Sequence, residues 1–139
     1  MRIMGLDVGS KTIGVSVSDE LGLTAQGIAV IRRSALKRDI KEIKDWIGRY
    51  DVKEIVIGLP KNMDGSIGET GQACLAFAQV LREKTGLPVH LWDERLSTRM
   101  SERTLLEADL SRKKRKQVID KLAAALILQS YLDSLRNKS

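Results

Sequence analysis

Glu54-Ile55-Val56-Ile57-Gly58 is a continuous apolar run closed by Gly58-Leu59-Pro60. A strand without polar alternate positions has no face to give to water, so it suits a sheet covered on both sides. The patterns on either side supply the cover. Behind Ser34, read as an N-cap, Leu36, Ile40, Ile43, Ile47 and Tyr50 mark one face of a helix. Thr70 to Lys84 reads as a second helix, with Ala73, Phe77, Val80 and Leu81 inward and Gly86 as its stop signal.

Before this helical region the period is two. Arg2 to Asp7 reads as a short strand, Ile13, Val15 and Val17 alternate with Gly14, Ser16 and Ser18 as in a half-buried strand, and Gly27 to Ile31 reads as a third. Short connections between them predict an antiparallel meander. After the second helix come a strand over Val89 to Trp92, a helix over Ser97 to Ala108 and a long helix over Lys116 to Leu135. A meander followed by right-handed crossovers predicts an α/β fold, a five-stranded mixed sheet with helices on both faces. The 139 residues fit one such domain, spanning 1–139. In sheets of this kind ligands gather at the carboxyl ends of the parallel strands, where Asp7, Gly58-Leu59-Pro60 and Asp93-Glu94 all fall.

Three places could carry chemistry there. Asp7 ends an apolar strand between Gly5 and Gly9, and Asp93-Glu94-Arg95 ends another. Asp120 shares a helix face with Ala123, Ala124 and Ile127, where a carboxylate is unfavourable without a partner. A metal, a lysine or a backbone donor would each serve. Singly these are a turn aspartate, a surface charge cluster and a satisfied helix residue. Together they form a site that wants a cation, and hard oxygen ligands select Mg2+ or Mn2+. The net charge of +6 adds attraction for polyanions. It concentrates in the block Arg112, Lys113, Lys114, Arg115 and Lys116, expected just before the last helix, and in Arg32, Arg33, Lys37 and Arg38.

Four stretches of the chain resemble the YqgF family, described as Holliday-junction-resolvase-like and as candidate pre-16S rRNA nucleases. They are Asp7-Val8-Gly9-Ser10-Lys11-Thr12-Ile13-Gly14-Val15-Ser16, Gly58-Leu59-Pro60-Lys61-Asn62-Met63-Asp64-Gly65, Asp93-Glu94-Arg95-Leu96-Ser97-Thr98, and Asp120 with Ala123-Ala124 and Ile127-Leu128-Gln129. The resemblance runs in order through essentially the whole chain. It implies a ribonuclease H-like fold and metal-dependent phosphodiester cleavage, endo- or exonucleolytic. It implies Asp7, the Asp93-Glu94 pair and Asp120 as the acidic positions. The fourth strand carries no acid of the kind related resolvases have, so the second acid must come from the next strand, roughly 10 Å from Asp7. Glutamate spans that gap more easily, and Asp93 and Glu94 point to opposite faces if the strand continues. Glu94 is therefore favoured over Asp93 as a ligand beside Asp7 and Asp120.

Lys11, Lys61, Asn62 and Arg95 are placed to contact phosphate, and Arg112, Lys113, Lys114 and Arg115 to hold substrate backbone. Asn62-Met63-Asp64-Gly65 reads as a turn, with Asp64 serving the turn. The expected partner is nucleic acid, RNA ahead of structured DNA, with the protein a monomer or homodimer. The resemblance points to processing at the 5′ end of pre-16S rRNA. Holliday junction resolution, or a binding module without catalysis, are the alternatives. An Asp-x-Gly before a strand also occurs in sugar-kinase ATPases, but their core is repeated and one copy fills this chain. Cys74, the single cysteine, reads as a buried hydrophobe, and His90, Trp46 and Trp92 as structural. No membrane association is expected: the longest apolar run, Leu122 to Leu128, is too short to span a bilayer. A charge arrives too early in Met1 to Asp7 for a signal peptide, so the expected compartment is the cytoplasm.

Overall fold

The computed structural model describes residues 1–96 and 112–137. In chain order these form β1 (Arg2–Val8), β2 (Thr12–Ser18), β3 (Ala25–Arg32), α1 (Leu36–Tyr50), β4 (Val52–Leu59), α2 (Glu69–Thr85), β5 (Val89–Asp93), a single 3-10 turn (Glu94–Leu96) and α3 (Arg112–Asn137). The helix expected over Ser97 to Ala108 lies outside the described residues. The strands form one mixed sheet in the order β3-β2-β1-β4-β5. β1, β2 and β3 pair antiparallel, while β4 runs parallel to β1 and to β5. The carboxyl ends of β1, β4 and β5 therefore meet at one edge of the sheet.

Alternation along the strands divides the core between two faces. On one face Met4, Leu6, Ile13, Val15, Ile55 and Ile57 pack against Ile40 and Ile43 of α1 and Cys74, Phe77 and Leu81 of α2. On the other, Ile3 and Val56 pack against Ile127, Leu128 and Leu132 of α3. Ile55, Val56 and Ile57 are all fully buried, as a strand with helices on both sides requires.

β2 departs from the half-buried expectation. Every residue from Ile13 to Ser18 is buried. The small residues of its second face admit the backbone of α3 instead of water. A Cβ on Gly14 would lie 2.2 Å from the Asp120 carbonyl oxygen. The Ser16 hydroxyl is within hydrogen-bond distance of the Gly5 and Ala124 carbonyl oxygens, at 3.2 and 2.8 Å, and so satisfies a backbone oxygen that close packing would otherwise strand. A period-two run of small polar residues is thus a helix-docking face, which polarity alone does not distinguish from a wet one.

Four helix assignments are corrected. Ser34 does not cap α1; the cap residue is Ala35, and buried Asp39 reaches back to accept the Ser34 amide at 3.1 Å and Arg33 Nε at 3.2 Å. Leu36, in the first turn, is 47% exposed and takes no part in the core face. In α2 the buried row is Gly71, Cys74, Phe77, Ala78 and Leu81, and Ala73 is exposed. α3 begins at Arg112, so the basic block stands inside the helix and not before it; arginine and lysine are good helix formers. Trp46 and Trp92 are only half-buried: Arg49 lies over the Trp46 ring, and the Trp92 indole donates to Ser130 Oγ. Among the described residues no helix is long and apolar enough to cross a membrane.

Candidate active site

The carboxyl end of β1 delivers Asp7 to the α3 face, because Asp7 alternates in phase with Ile3 and Gly5. β5 stops at Asp93, and the 3-10 turn then swings Glu94 over Gly58 at the end of β4. A Cβ on Gly58 would come within 3.1 Å of Glu94 Cγ and 2.5 Å of Ile127 Cδ1, so the glycine keeps open the path by which Glu94 reaches inward. Glu94 is mostly buried and its carboxyl is pushed up to about 8: first by desolvation, then by its hydrogen bond to Asp7 and the negative charges of Asp7 and Asp93. Asp93 is engaged with an arginine instead. Its two oxygens take Arg95 Nε at 3.1 Å and Nη2 at 2.7 Å, and this hydrogen-bonded guanidinium holds the carboxyl below the usual carboxylate range. The two neighbouring acids are thus separated into one facing Asp7 and one engaged with an arginine.

Asp120 enters from α3. Its backbone lies on Gly14, which is the register partner of Asp7 across the β1–β2 ladder. Its side chain accepts the Thr12 hydroxyl at 3.0 Å. The structure therefore brings Asp7 and Glu94 into contact and sets Asp120 one strand away with a hydroxyl donor. Among the described residues no group of three or more histidine, cysteine or acidic side chains is drawn together tightly enough to hold a metal ion. The Asp7–Glu94 contact nevertheless fits a hard cation: two carboxyls meeting in a half-buried place need either a shared proton or a positive charge between them.

That contact has a stability signature. The folded state raises the Glu94 carboxyl from 4.5 to about 8. The associated stability is fully present below the lower value and is lost as pH rises through the upper one. In chelator, the melting midpoint should fall as pH rises from about 4.5 to about 8, and Glu94→Gln should flatten that fall. A wild-type slope in the variant would remove the contact as its cause.

A sequence model of the RuvX family, described as Holliday junction resolvase, matches residues 1–134. The chain belongs to the RuvX family. Its RuvX-family relatives include a candidate pre-16S rRNA nuclease of Desulfitobacterium hafniense strain Y51, 59% identical over 139 residues that make up 100% of this chain and 96% of the relative. A candidate pre-16S rRNA nuclease of Clostridium beijerinckii is 55% identical over 138 residues, 99% of this chain and 100% of the relative. Among solved structures, T. thermophilus RuvC in complex with a Holliday junction substrate superimposes with a TM-score of 0.63 at 17% identity, covering 100% of this chain and 98% of that one. The RuvX-family chain thus has the ribonuclease H-like fold.

Around the acids of this RuvX-family chain, the phosphate-contact candidates differ in how free they are. Lys11 is exposed in the β1–β2 connection, and Lys61 is half-buried after β4. Asn62 is spent on its own loop, its amide group donating to Ser66 Oγ at 2.9 Å. Arg95 is an anchor: besides Asp93 it donates to the Asn62 carbonyl at 3.3 Å, tying the end of β5 to the β4–α2 loop. In that loop Asp64 accepts the Ser66 amide at 2.9 Å and Gly65 takes positive φ, which makes Asp64 a turn residue. Two contributors escaped the sequence reading. Thr12 holds Asp120, and its phase with Gly14 and Ser16 already placed it on the α3 face. Arg33 donates to the Gly9 carbonyl at 2.8 Å and so braces the loop after Asp7. Cys74 is buried beside the site, its thiol pushed up to about 11 by burial and the nearby Glu94 and Asp7 charges, which suits a packing residue and not a nucleophile. His90 is engaged with Glu54 Oε1 at 2.6 Å and stacks on Tyr131.

Proposed function

We propose that this chain is a single-domain, divalent-metal-dependent phosphodiester nuclease acting in the cytoplasm on the 5′ end of precursor 16S rRNA. The observation that carries the reading is the contact between Asp7 and Glu94 at the carboxyl end of the sheet. The names of the relatives support the choice of substrate. Asp7 and Glu94, with Asp120, would hold Mg2+ or Mn2+, which when bound supplies Lewis acidity to the scissile phosphate and lowers the pKa of an attacking water. The protein's own contribution is placement. β1 fixes Asp7, the turn after β5 brings Glu94 across the open Gly58 position, and α3 on Gly14 sets Asp120 above the same ladder. Lys11 and Lys61 flank that edge as phosphate contacts, with Asn62 and Arg95 shaping its rim. Arg112, Lys113, Lys114 and Arg115, in the first turns of α3, add charge for the backbone beyond it. Incubation with Mg2+ or Mn2+ and labelled pre-16S rRNA, a four-way DNA junction and a nonspecific single strand tests the reading. Cleavage of the precursor alone supports it, and no metal-dependent cleavage of any of the three overturns it. The family's description as Holliday junction resolvase favours the four-way junction as the second substrate.

The same reading separates Glu94 from Asp93. Glu94→Gln should raise the manganese concentration for half-maximal cleavage by more than about 10-fold, the scale on which even outer partners of a metal site matter. Asp93→Asn frees Arg95 and should lower turnover with little change in metal demand. If only Asp93→Asn shifts the metal curve, the two roles are reversed.

A further inference from the structure

Between α1 and α2, on the face of the sheet opposite α3, lies an open groove of about 1100 Å³. Lys37, Arg38, Lys41 and Lys44 of α1 and Lys84 of α2 line it, with Asp45 the one acid in its lining. None of the five cations has an ion-pair partner among the described residues, whereas Arg2, Arg33, Lys53 and Arg95 each do. Glu42, four residues after Arg38, and Asp45, four after Lys41, offset this positive charge only in part. Lys37, Lys41 and Lys44 follow at i, i+4 and i+7, so like charges face one another along one helix stripe. Lys37 and Arg38 also stand in the first turn of α1, at the positive end of its dipole. The acid of that turn, Asp39, is buried against Arg33 and the Ser34 amide and offsets neither.

The groove and the carboxylates lie on opposite faces of the sheet, and the N-terminal end of α1 joins them at one edge. β3 delivers the chain to α1, and Arg32 at its end is the register partner of Thr12, beside Lys11. From Lys37 to Lys44 the stripe descends about 10 Å along the helix, a span that takes in roughly three phosphates of one strand of a duplex. We propose that this groove is a second backbone-binding surface, holding the sugar-phosphate chain of a nucleic acid that continues past the carboxylate edge and around α1. It extends the nuclease reading above by naming where the rest of the substrate runs.

The test uses binding in chelator, so that cleavage plays no part. A fluorescent RNA duplex about two turns long is titrated with wild type and with the triple variant Lys37→Gln, Lys41→Gln, Lys44→Gln across a range of salt. The variant should bind about 10-fold more weakly, and the slope of log affinity against log salt should flatten by roughly two to three, about one for each phosphate that is no longer neutralised. These side chains are exposed, so an unchanged melting midpoint confirms an intact fold. An unchanged slope in the folded variant overturns the proposal and leaves the cations to solubility or to an acidic protein. The nuclease reading is judged separately, by the metal-dependent cleavage assay on wild type. A flattened slope without cleavage keeps the groove and rejects the nuclease. Cleavage with an unchanged slope does the reverse.

Discussion

Asp7→Asn is expected to abolish cleavage in a protein that folds as wild type does. Asparagine is nearly isosteric and keeps an acceptor oxygen at the end of β1, but it carries no negative charge. The loss should be at least about 1000-fold in turnover, since several kcal/mol of charge stabilisation are at stake and each 1.36 kcal/mol is tenfold. Above about pH 8, where Glu94 loses its proton, stability should hold or rise, because the change removes a negative charge beside the mostly buried Glu94. The measurement pairs single-turnover cleavage in manganese with a thermal melt in chelator. Wild-type turnover in the folded variant takes Asp7 out of the mechanism. A variant that melts far below wild type shows instead that the carboxylate is a structural group.

Much of this site was legible because its parts obey periodicities. Asp7 is in phase with Gly5, and an apolar β4 required helices on both sides. A continuing pleat would send Glu94 and Asp93 to opposite faces, but β5 stops at Asp93; the 3-10 turn, not the pleat, carries Glu94 over Gly58 while Asp93 engages Arg95. What the sequence concealed was depth of packing. The alternation of Gly14, Ser16 and Ser18 with apolar residues looks the same whether its small face meets water or a helix backbone. The phase of Thr12 gives its face, but only the close approach of α3 makes it the partner of Asp120. Leu36 and Ala73 are exposed: helical phase gives a stripe's direction but not how far the neighbouring element extends to cover it. α3 starts at Arg112 because arginine and lysine are good helix formers, and this outweighs the mutual repulsion of five consecutive cations.

Gly14→Ala should be the most damaging single-methyl change on the α3 face. The added Cβ would meet the Asp120 carbonyl oxygen at 2.2 Å and its carbon at 3.0 Å. Both are backbone atoms of a helix whose next turn is held to the same strand by Ser16, so no side chain can rotate away. Either β2 or α3 must shift, and overpacking of this kind costs about 3 kcal/mol. For a domain of this size that corresponds to a fall of roughly 10 °C in melting midpoint. Gly48→Ala supplies the contrast. Gly48 lies exposed within α1 with nothing within 4 Å of a built Cβ, so the same methyl should stabilise by up to about 1 kcal/mol through helix propensity. The two variants differ by the same atoms, so the difference between them isolates the close approach. The functional consequence follows from where the clash falls. The displaced backbone is that of Asp120 itself, which lies on Gly14, the ladder partner of Asp7, so cleavage by Gly14→Ala should drop well beyond its folded fraction even at temperatures where it remains native. Raised manganese should recover part of that activity if Asp120 has moved as a ligand. A Gly14→Ala protein that melts within a few degrees of wild type would mean that α3 does not rest on β2 as closely as described, and with it the placement of Asp120 at this site would fall.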